Sequence, residues 1–372
     1  MKIVFAAGGT GGHINPALSA AGEVRRRYPD AEILFIGTAD HMEARLVPAA
    51  GFDFKTIEIA GFQRKPTPKN LIKNIKTVGL LLKSSSAVKK ILTEFQPDVA
   101  VGFGGYVSGP VLRTAAKMGI KTAIHEQNAY PGVTNKALAK NADAVMLTVE
   151  AAKAHLTSKT EPIVTGLPVR HEILEADRDF ARATLGVPEK SMMILSMGGS
   201  LGAKTINEAM VALIGARYTH KDMFFLHATG KYGKWVPEKL EEQGVDLQNT
   251  KNVVVREYID DMDVCLAAAD LVIGRAGASS LSEIEATGKA SILIPSPNVS
   301  ENHQYHNAMA LVENGAAQIL EEKELTAERL IQMVDALQSD RDALKKLGEN
   351  AKKMAVEDAA KQICDIIVAL AQ

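Results

Sequence analysis

Two glycine-rich stretches about 190 residues apart each lie between a short apolar run and a helical pattern. They constrain the fold more than anything else in the chain. The first is Lys2-Ile-Val-Phe-Ala-Ala-Gly-Gly-Thr-Gly-Gly-His-Ile-Asn-Pro16, and the second is Met192-Met-Ile-Leu-Ser-Met-Gly-Gly-Ser-Leu-Gly-Ala-Lys-Thr205. A short continuous apolar run is the pattern of a buried parallel strand. Glycines at its carboxyl end let backbone N–H groups approach a ligand, and the following helix presents its positive end there. Two such units, each opening a half of the chain, predict twin nucleotide-binding-like domains.

Neither loop fits the two commonest phosphate motifs. With Gly9 and Gly11 in frame for Gly-x-Gly-x-x-Gly, Ile14 stands where the third glycine belongs. No clear acidic residue ends the next strand, Ile33-Leu-Phe-Ile36, to hold a ribose. The second loop is a near miss of a Walker A sequence, with Ala203 in place of the glycine before Lys204-Thr205. No apolar strand ending in a metal-holding Asp follows at a suitable place. A nucleoside triphosphatase is one alternative at this point.

A length of 372 residues suggests two domains, each able to bury a core. Hydrophobic content of 46% and a net charge of −1 are ordinary for a globular protein and argue against a nucleic-acid binder. Cys265 and Cys364 sit in apolar, helix-like contexts and read as packing residues, which fits a reducing compartment. The first strand begins at residue 2, leaving no room for a signal peptide, and the five glycines between Ile3 and Gly22 argue against a lipid-spanning helix. The expected location is cytoplasmic.

The near-neutral total hides a local bias. From Ile59 to Thr93 there is no acidic residue, while basic residues alternate with apolar ones. Leu71, Ile75, Val78 and Leu82 share one helical face, and Lys69, Lys73, Lys76 and Lys83 line the neighbouring one, with Ile72 among them. One reading is an amphipathic helix packed on its own domain with solvated lysines. The other is a patch for an anionic membrane surface, where each engaged cation contributes roughly 1 kcal/mol.

Strand-like and helix-like segments alternate through both halves, which predicts parallel sheets with helices on both faces and ligands at the strands' carboxyl ends. The first half holds Ile33–Ile36, Val99–Val101, Thr122–Ile124 and Ala144–Leu147. The second holds Ile194–Met197, Phe224–His227, Val253–Val255, Leu271–Ile273 and Ser291–Ile294. The stretch from about Thr157 to Pro168 is the best linker candidate, and the tail from about Thr326 is helical in pattern.

Eight motifs in order then resemble the MurG family of N-acetylglucosaminyltransferases. They are Gly8-Gly-Thr-Gly-Gly-His13 with Pro16, Gly104-Gly-Tyr-Val-Ser-Gly-Pro110, His125-Glu-Gln-Asn128, Gly166-Leu-Pro-Val-Arg170, Gly198-Gly-Ser-Leu-Gly-Ala203, Tyr258-Ile-Asp-Asp-Met262, Arg275-Ala-Gly-Ala-Ser-Ser-Leu-Ser-Glu283 and His303-Gln-Tyr-His-Asn307. The resemblance implies an α/β protein of two Rossmann-like, doubly wound domains facing a cleft, the glycosyltransferase-B fold. It implies an acceptor and membrane-facing domain over 1–165, a UDP-N-acetylglucosamine donor domain over 166–344, and a C-terminal helix over 345–372 packing back on the first. The implied reaction moves N-acetylglucosamine, with inversion, from UDP-N-acetylglucosamine to the 4-hydroxyl of the N-acetylmuramyl residue of lipid I, giving lipid II for peptidoglycan. No cofactor and no metal are implied. Asp260-Asp-Met-Asp263 contains an Asp-x-Asp, and it is expected to cap the helix entering Val264 instead.

The resemblance also distributes roles. His13 is the candidate base, at a helix N-terminus; the alternatives are that it only caps that helix or binds acceptor phosphate. Glu126 and His125 are rival bases, with His125 on the acceptor side. Thr10, Gly11, Gly12 and Asn128 would lie near the donor sugar and acceptor, and Tyr106 and Ser108 would hold the lipid pyrophosphate. Ser200 and Arg170 would meet the UDP phosphates, the backbone at Ile259 the uracil, and Ala278, Ser279, Ser280, Leu281, Ser282 and Glu283 the nucleoside. Glu283 would hold the ribose hydroxyls, although Ser280-Leu-Ser-Glu283 also reads as a capping box. Gln304 would bond sugar hydroxyls; His303 stands where some members carry a second glutamine. The expected partners are UDP-N-acetylglucosamine, lipid I, an anionic inner-leaflet surface met through Lys69, Ile72, Lys73, Ile75, Lys76, Leu82 and Lys83, and other cell-wall synthesis proteins. Another UDP-sugar transferase, a UDP-N-acetylglucosamine 2-epimerase and a non-catalytic nucleotide-sugar sensor are the remaining alternatives.

Overall fold

A computed structural model describes residues 1–59, 83–356 and 358–372, without the side chain of Ser300. Lys69, Ile72, Lys73, Ile75, Lys76 and Leu82 of the expected membrane patch lie outside the described residues. Lys83 is described, exposed and paired with Glu58 at 2.6 Å. Two compact units are present, Met1–Pro168 with Asp358–Gln372, and Val169–Glu357.

Each unit is built on one sheet whose strands are all parallel. In the first, β1 (Lys2–Ala6), β2 (Glu32–Gly37), β3 (Asp53–Thr56), β4 (Val99–Gly102), β5 (Lys121–Glu126), β6 (Ala144–Leu147) and β7 (Ile163–Val164) stand in the order β3-β2-β1-β4-β5-β6-β7. In the second, β8 (Met192–Met197), β9 (Met223–Ala228), β10 (Val253–Arg256), β11 (Leu271–Gly274), β12 (Ala290–Leu293) and β13 (Gln318–Ile319) stand in the order β10-β9-β8-β11-β12-β13. The order reverses between β1 and β4 and again between β8 and β11, and at these switch points successive connections leave on opposite faces. Both faces of the central strands are covered, so β4 and β11 read as unbroken apolar runs, Val-Ala-Val-Gly and Leu-Val-Ile-Gly.

The glycine stretches lead into helices α1 (Gly11–Arg27) and α8 (Lys204–Arg217). Pro16 lies in the second turn of α1, where it removes the hydrogen bond to the Gly12 carbonyl. Between them come α2 (Glu43–Ala49), a helix over 83–95 (α3), α4 (Ser108–Lys117), α5 (Val133–Ala139), α6 (His171–Glu175) and α7 (Arg178–Leu185). Further on are α9 (Val236–Glu242), α10 (Met262–Ala268), α11 (Ala278–Thr287), α12 (His303–Val312), α13 (Ala327–Ser339), α14 (Arg341–Met354) and α15 (Ala359–Ala371).

The divide expected at residue 345 falls inside α14. That helix packs on α11 and β12 of the second unit, burying Leu344, Gly348 and Ala351. Helix α15 returns to the first unit. Its buried positions Ala359, Ile363, Cys364, Ile367 and Val368 follow one helical face and join Ile3, Phe5, Ala17 and Ala20 in a single apolar cluster. At the rim, Arg27 at the end of α1 meets Asp365 at 2.7 Å. The two kinds of contact differ in worth. Ile367→Ala should cost about 2–5 kcal/mol of stability, because a fully buried methyl cluster is lost and a cavity remains. Arg27→Ala should cost less than about 1 kcal/mol, since its partner is half exposed. Urea unfolding of both variants measures the difference, and equal losses would contradict it.

Candidate active site

The strand-to-helix corners leave backbone donors without partners. At α1, α8 and α11 the N-cap residues are Thr10, Ala203 and Gly277; none makes a side-chain cap, and no acidic residue lies in the first turn. Three helices are capped by side chains, Asp177 accepting from Phe180 N–H, Thr326 from Arg329 N–H and Asp340 from Ala343 N–H, whereas α2, α4, α5, α6, α9, α10 and α12 are uncapped as well. Uncapped N-termini that begin at the carboxyl edge of a parallel sheet are suited to an anion. Two hydroxyls at these corners, Thr205 Oγ1 in α8 and Ser279 Oγ in α11, are buried without a hydrogen-bond partner. The alternative reading of Ser280 to Glu283 as a capping box does not hold, because α11 already starts at Ala278 and places Glu283 in its second turn.

In the first unit a buried carboxylate braces the loop just ahead of α1. The buried Glu43 of α2 accepts from Gly9 N–H at 3.1 Å, Thr38 N–H at 3.1 Å and Thr38 Oγ1 at 2.7 Å. Opposite, Gly105 has φ +80°, and a Cβ there would lie 2.2 Å from the Gly8 carbonyl, so only glycine lets these loops meet. Ser108 braces the contact: its Oγ accepts from Gly104 N–H at 3.0 Å and lies 2.9 Å from the Ala6 carbonyl. The expected contact of Ser108 with lipid pyrophosphate is not available, because the side chain is wholly buried and spent on these loops. Tyr106 in the same loop is exposed, as a ligand contact requires. Thr10 and Gly12 are also exposed and Gly11 half-buried.

The segment His125 to Asn128 splits by strand alternation, since β5 sends successive side chains to opposite faces. His125 and Gln127 go one way. His125 is fully buried, stacks on Phe103 with ring centroids 5.1 Å apart, and approaches the Gly166 carbonyl through Nε2 at 2.9 Å. Burial pushes its imidazole down to about 4. The expected acceptor contact is therefore not available to it. Glu126 goes the other way and is buried too. One oxygen accepts from the backbone N–H and Nδ2 of Asn128, at 2.9 and 3.0 Å, and the other from Gly132 N–H and Asn135 Nδ2, at 3.1 and 2.8 Å. Four donors on one carboxylate make a loop clamp, with no lone pair aimed at a substrate hydroxyl. His13, half-buried on α1, makes its hydrogen bond to Gln127 at 2.9 Å and not to its own helix, so it does not act as a cap.

In the second unit, Arg170 and Glu283 come together at 3.2 Å, which places the expected phosphate cation beside the expected ribose carboxylate. Burial pushes the Glu283 carboxyl up and Arg170 pulls it back. Ser200 is exposed in the second glycine loop. Ile259 is buried in the core. Ala278, Ser279 and Ser280 are half-buried on the first turn of α11, while Leu281 and Ser282 are buried. Gln304 on α12 spends its carbonyl on Ser296 N–H at 2.9 Å. Just before it, Glu301 and Asn302 both hold left-handed backbone, with φ of 53° and 50°, a strained pair at the helix entrance. Asp261 does not cap α10; its carboxylate is taken by Arg256 at 2.6 Å. Among the described residues no cluster of three His, Cys, Asp or Glu could hold a metal ion. Sequence reading missed Gln127, Glu43 and Asn135. Alternation alone would have grouped Gln127 with His125, but no local pattern pointed to Glu43.

Comparison with known proteins adds the family. Residues 3–147 match the glycosyltransferase family 28 N-terminal domain, and residues 193–363 its C-terminal domain. A relative from Acetivibrio thermocellus, named UDP-N-acetylglucosamine–N-acetylmuramyl-(pentapeptide) pyrophosphoryl-undecaprenol N-acetylglucosamine transferase, is 41% identical over 368 residues, covering 99% of this chain and 97% of the relative. Among solved structures, MurG of Acinetobacter baumannii is 28% identical with a TM-score of 0.79, covering 99% of both chains. A UDP-N-acetylglucosamine 2-epimerase from Neisseria meningitidis shares the fold with a TM-score of 0.68, at 13% identity over 99% of this chain and 100% of its own.

The buried histidines carry a consequence for stability. His125 and His227 are both pushed by burial to about 4, against about 6.5 in an unfolded chain. As pH falls from about 6.5 to about 4, the unfolded chain binds protons that the folded one refuses, so stability is lost across that window. Each histidine should account for up to ~3 kcal/mol at its acid end. Urea midpoints at pH 7 and 4.5 should show a shallower acid decline in His227→Phe than in the parent protein; identical declines would contradict the assignment.

Proposed function

The chain belongs to the MurG family within glycosyltransferase family 28, and from that premise we propose how its residues carry out N-acetylglucosamine transfer from UDP-N-acetylglucosamine to lipid I. The observation that carries the reading is the pair of helix N-termini, α8 and α11, that open after the carboxyl ends of parallel strands β8 and β11 with neither a side-chain cap nor an acid in the first turn. Their N–H groups suit the diphosphate of the donor, whose charge grows as the glycosidic bond breaks. Ser200 and Arg170 add polar contacts there, Glu283 takes the ribose hydroxyls, Ile259 meets uracil through its main chain, and Gln304 turns its amide nitrogen to the sugar.

His13 is the base. The acceptor's C4 oxygen attacks C1 of N-acetylglucosamine from the face opposite the diphosphate, which inverts the anomeric centre. The hydroxyl proton passes to His13, the new C–O bond forms, and the electron pair of the broken bond leaves with UDP. Glu126 is assigned to holding the Asn128 to Asn135 loop, and Tyr106 to the acceptor surface. His13→Ala should lower kcat by ~10²–10⁴ while leaving UDP-N-acetylglucosamine binding within about twofold. UDP release with EDTA present, with and without a short-chain lipid I analogue, checks both points. Release only with the acceptor supports the transferase; near-normal kcat in the variant removes His13 from the role.

The membrane is the second proposed partner. Among the described residues no helix is long and apolar enough to cross a bilayer. The acidic-free segment from Ile59 to Thr93 supplies cations beside apolar residues, suited to an anionic surface on the cytoplasmic side. Sedimentation with vesicles containing anionic phospholipid should weaken with added salt, and a Lys69→Gln, Lys73→Gln, Lys76→Gln variant should bind at least ~10-fold less, at roughly 1 kcal/mol per lysine. Equal binding to neutral vesicles would overturn it.

A further inference from the structure

Four groups form one hydrogen-bonded row. Its terminus is the Gly166 carbonyl, which can only accept, so the His125 Nε2 at 2.9 Å carries the proton. The buried ring is neutral, which leaves Nδ1 as an acceptor. Gln127 Nε2 lies 3.2 Å from that nitrogen and 2.9 Å from the His125 carbonyl. Two acceptors around one end of the amide mean that this end is the NH2 group; the reverse orientation would set oxygen against oxygen. Gln127 Oε1 is therefore the atom that faces His13 Nδ1 at 2.9 Å, and Nδ1 must donate. Two backbone carbonyls thus determine every proton in the row.

We propose that Gln127 is a positioning residue that locks His13 in the Nδ1–H tautomer, so that Nε2 presents its lone pair to the acceptor hydroxyl. The packing around the ring agrees. A Cβ at Gly104 would lie 2.8 Å from Nδ1 and 2.9 Å from Cε1, so the Nδ1 edge rests against backbone. Nε2 has no hydrogen-bond partner among the described residues. Gln127 itself is buried and reaches no substrate directly. When Nε2 takes the proton, the ring becomes a cation whose Nδ1–H still donates to a neutral amide oxygen. The amide holds orientation without placing a fixed negative charge behind the ring. This inference rests on His13 being the base proposed above, and its test separates the two.

The measurement is a long-range ¹H–¹⁵N spectrum of the full chain labelled on histidine, with His13 identified by its loss in His13→Gln. In the parent protein Nδ1 of His13 should be protonated and Nε2 bare. Gln127→Leu should release the ring to a mixture of tautomers or to Nε2–H and lower kcat at least ~10-fold, with KM for UDP-N-acetylglucosamine within about twofold. Gln127→Glu keeps an acceptor for Nδ1–H, although it sets its second oxygen against the His125 carbonyl, and should retain the parent tautomer where the leucine variant loses it. An Nε2–H tautomer in the parent protein, or an unchanged tautomer in Gln127→Leu, overturns the proposal. The parent spectrum alone tests the tautomer even if a variant fails to fold. A changed tautomer with unchanged kcat would uphold the lock and remove His13 as the base.

Discussion

Backbone N–H groups at the strand-to-helix corners are the demand around which both units are arranged. A parallel strand that turns into a helix leaves the first donors of that helix without partners, and parallel sheets gather these corners along one edge. The first-turn donors of α1, α8 and α11 alike lack a side-chain cap and a neighbouring acid. In the first unit Glu43 accepts from Gly9 N–H just ahead of α1 and Ser108 ties the facing loop, so the approach to the helix is braced by the protein itself.

The braced loop ahead of α1 has its own use. With the loops at Gly8 and Gly105 packed against each other, α1 begins at a defined place and His13 emerges beside Gly104 and Gln127. A base has to be oriented to within a narrow range, and orientation is obtained from groups that cannot move. The neighbouring carboxylate, Glu126, is drawn off to the opposite face and saturated by Asn128, Gly132 and Asn135. One four-residue stretch therefore supplies a buried imidazole, a loop clamp and a tautomer lock, because alternation along an extended strand separates adjacent side chains.

The same economy operates at the end of the chain. Helix α15 carries a complete apolar face yet follows directly on helices of the second unit, and it buries that face against α1 and the first sheet. The ion pair between Arg27 and Asp365 trims its edge. Most of the holding energy comes from the apolar contact, since a half-exposed pair is worth little in water.

Much of this was readable in the sequence. Apolar runs, glycine loops and alternation of strand and helix specified two parallel α/β units, and the ordered motifs specified the family, because each depends on residues close together in the chain. Which motif residues face a ligand was not readable. Ser108, His125 and Glu126 sit in motifs as prominent as His13, yet all three are buried and spoken for. For Ser108 and His125 the outcome turns on partners distant in sequence, Ala6 and Gly166, as it does on Gln127 for His13 and on Glu43 for Gly9, whereas Glu126 is taken by the loop that follows it, through Asn128, Gly132 and Asn135. Periodicity encodes which face of an element a side chain takes; only tertiary packing decides what stands on the other side, and hence whether a polar group is consumed by the protein or left for a substrate.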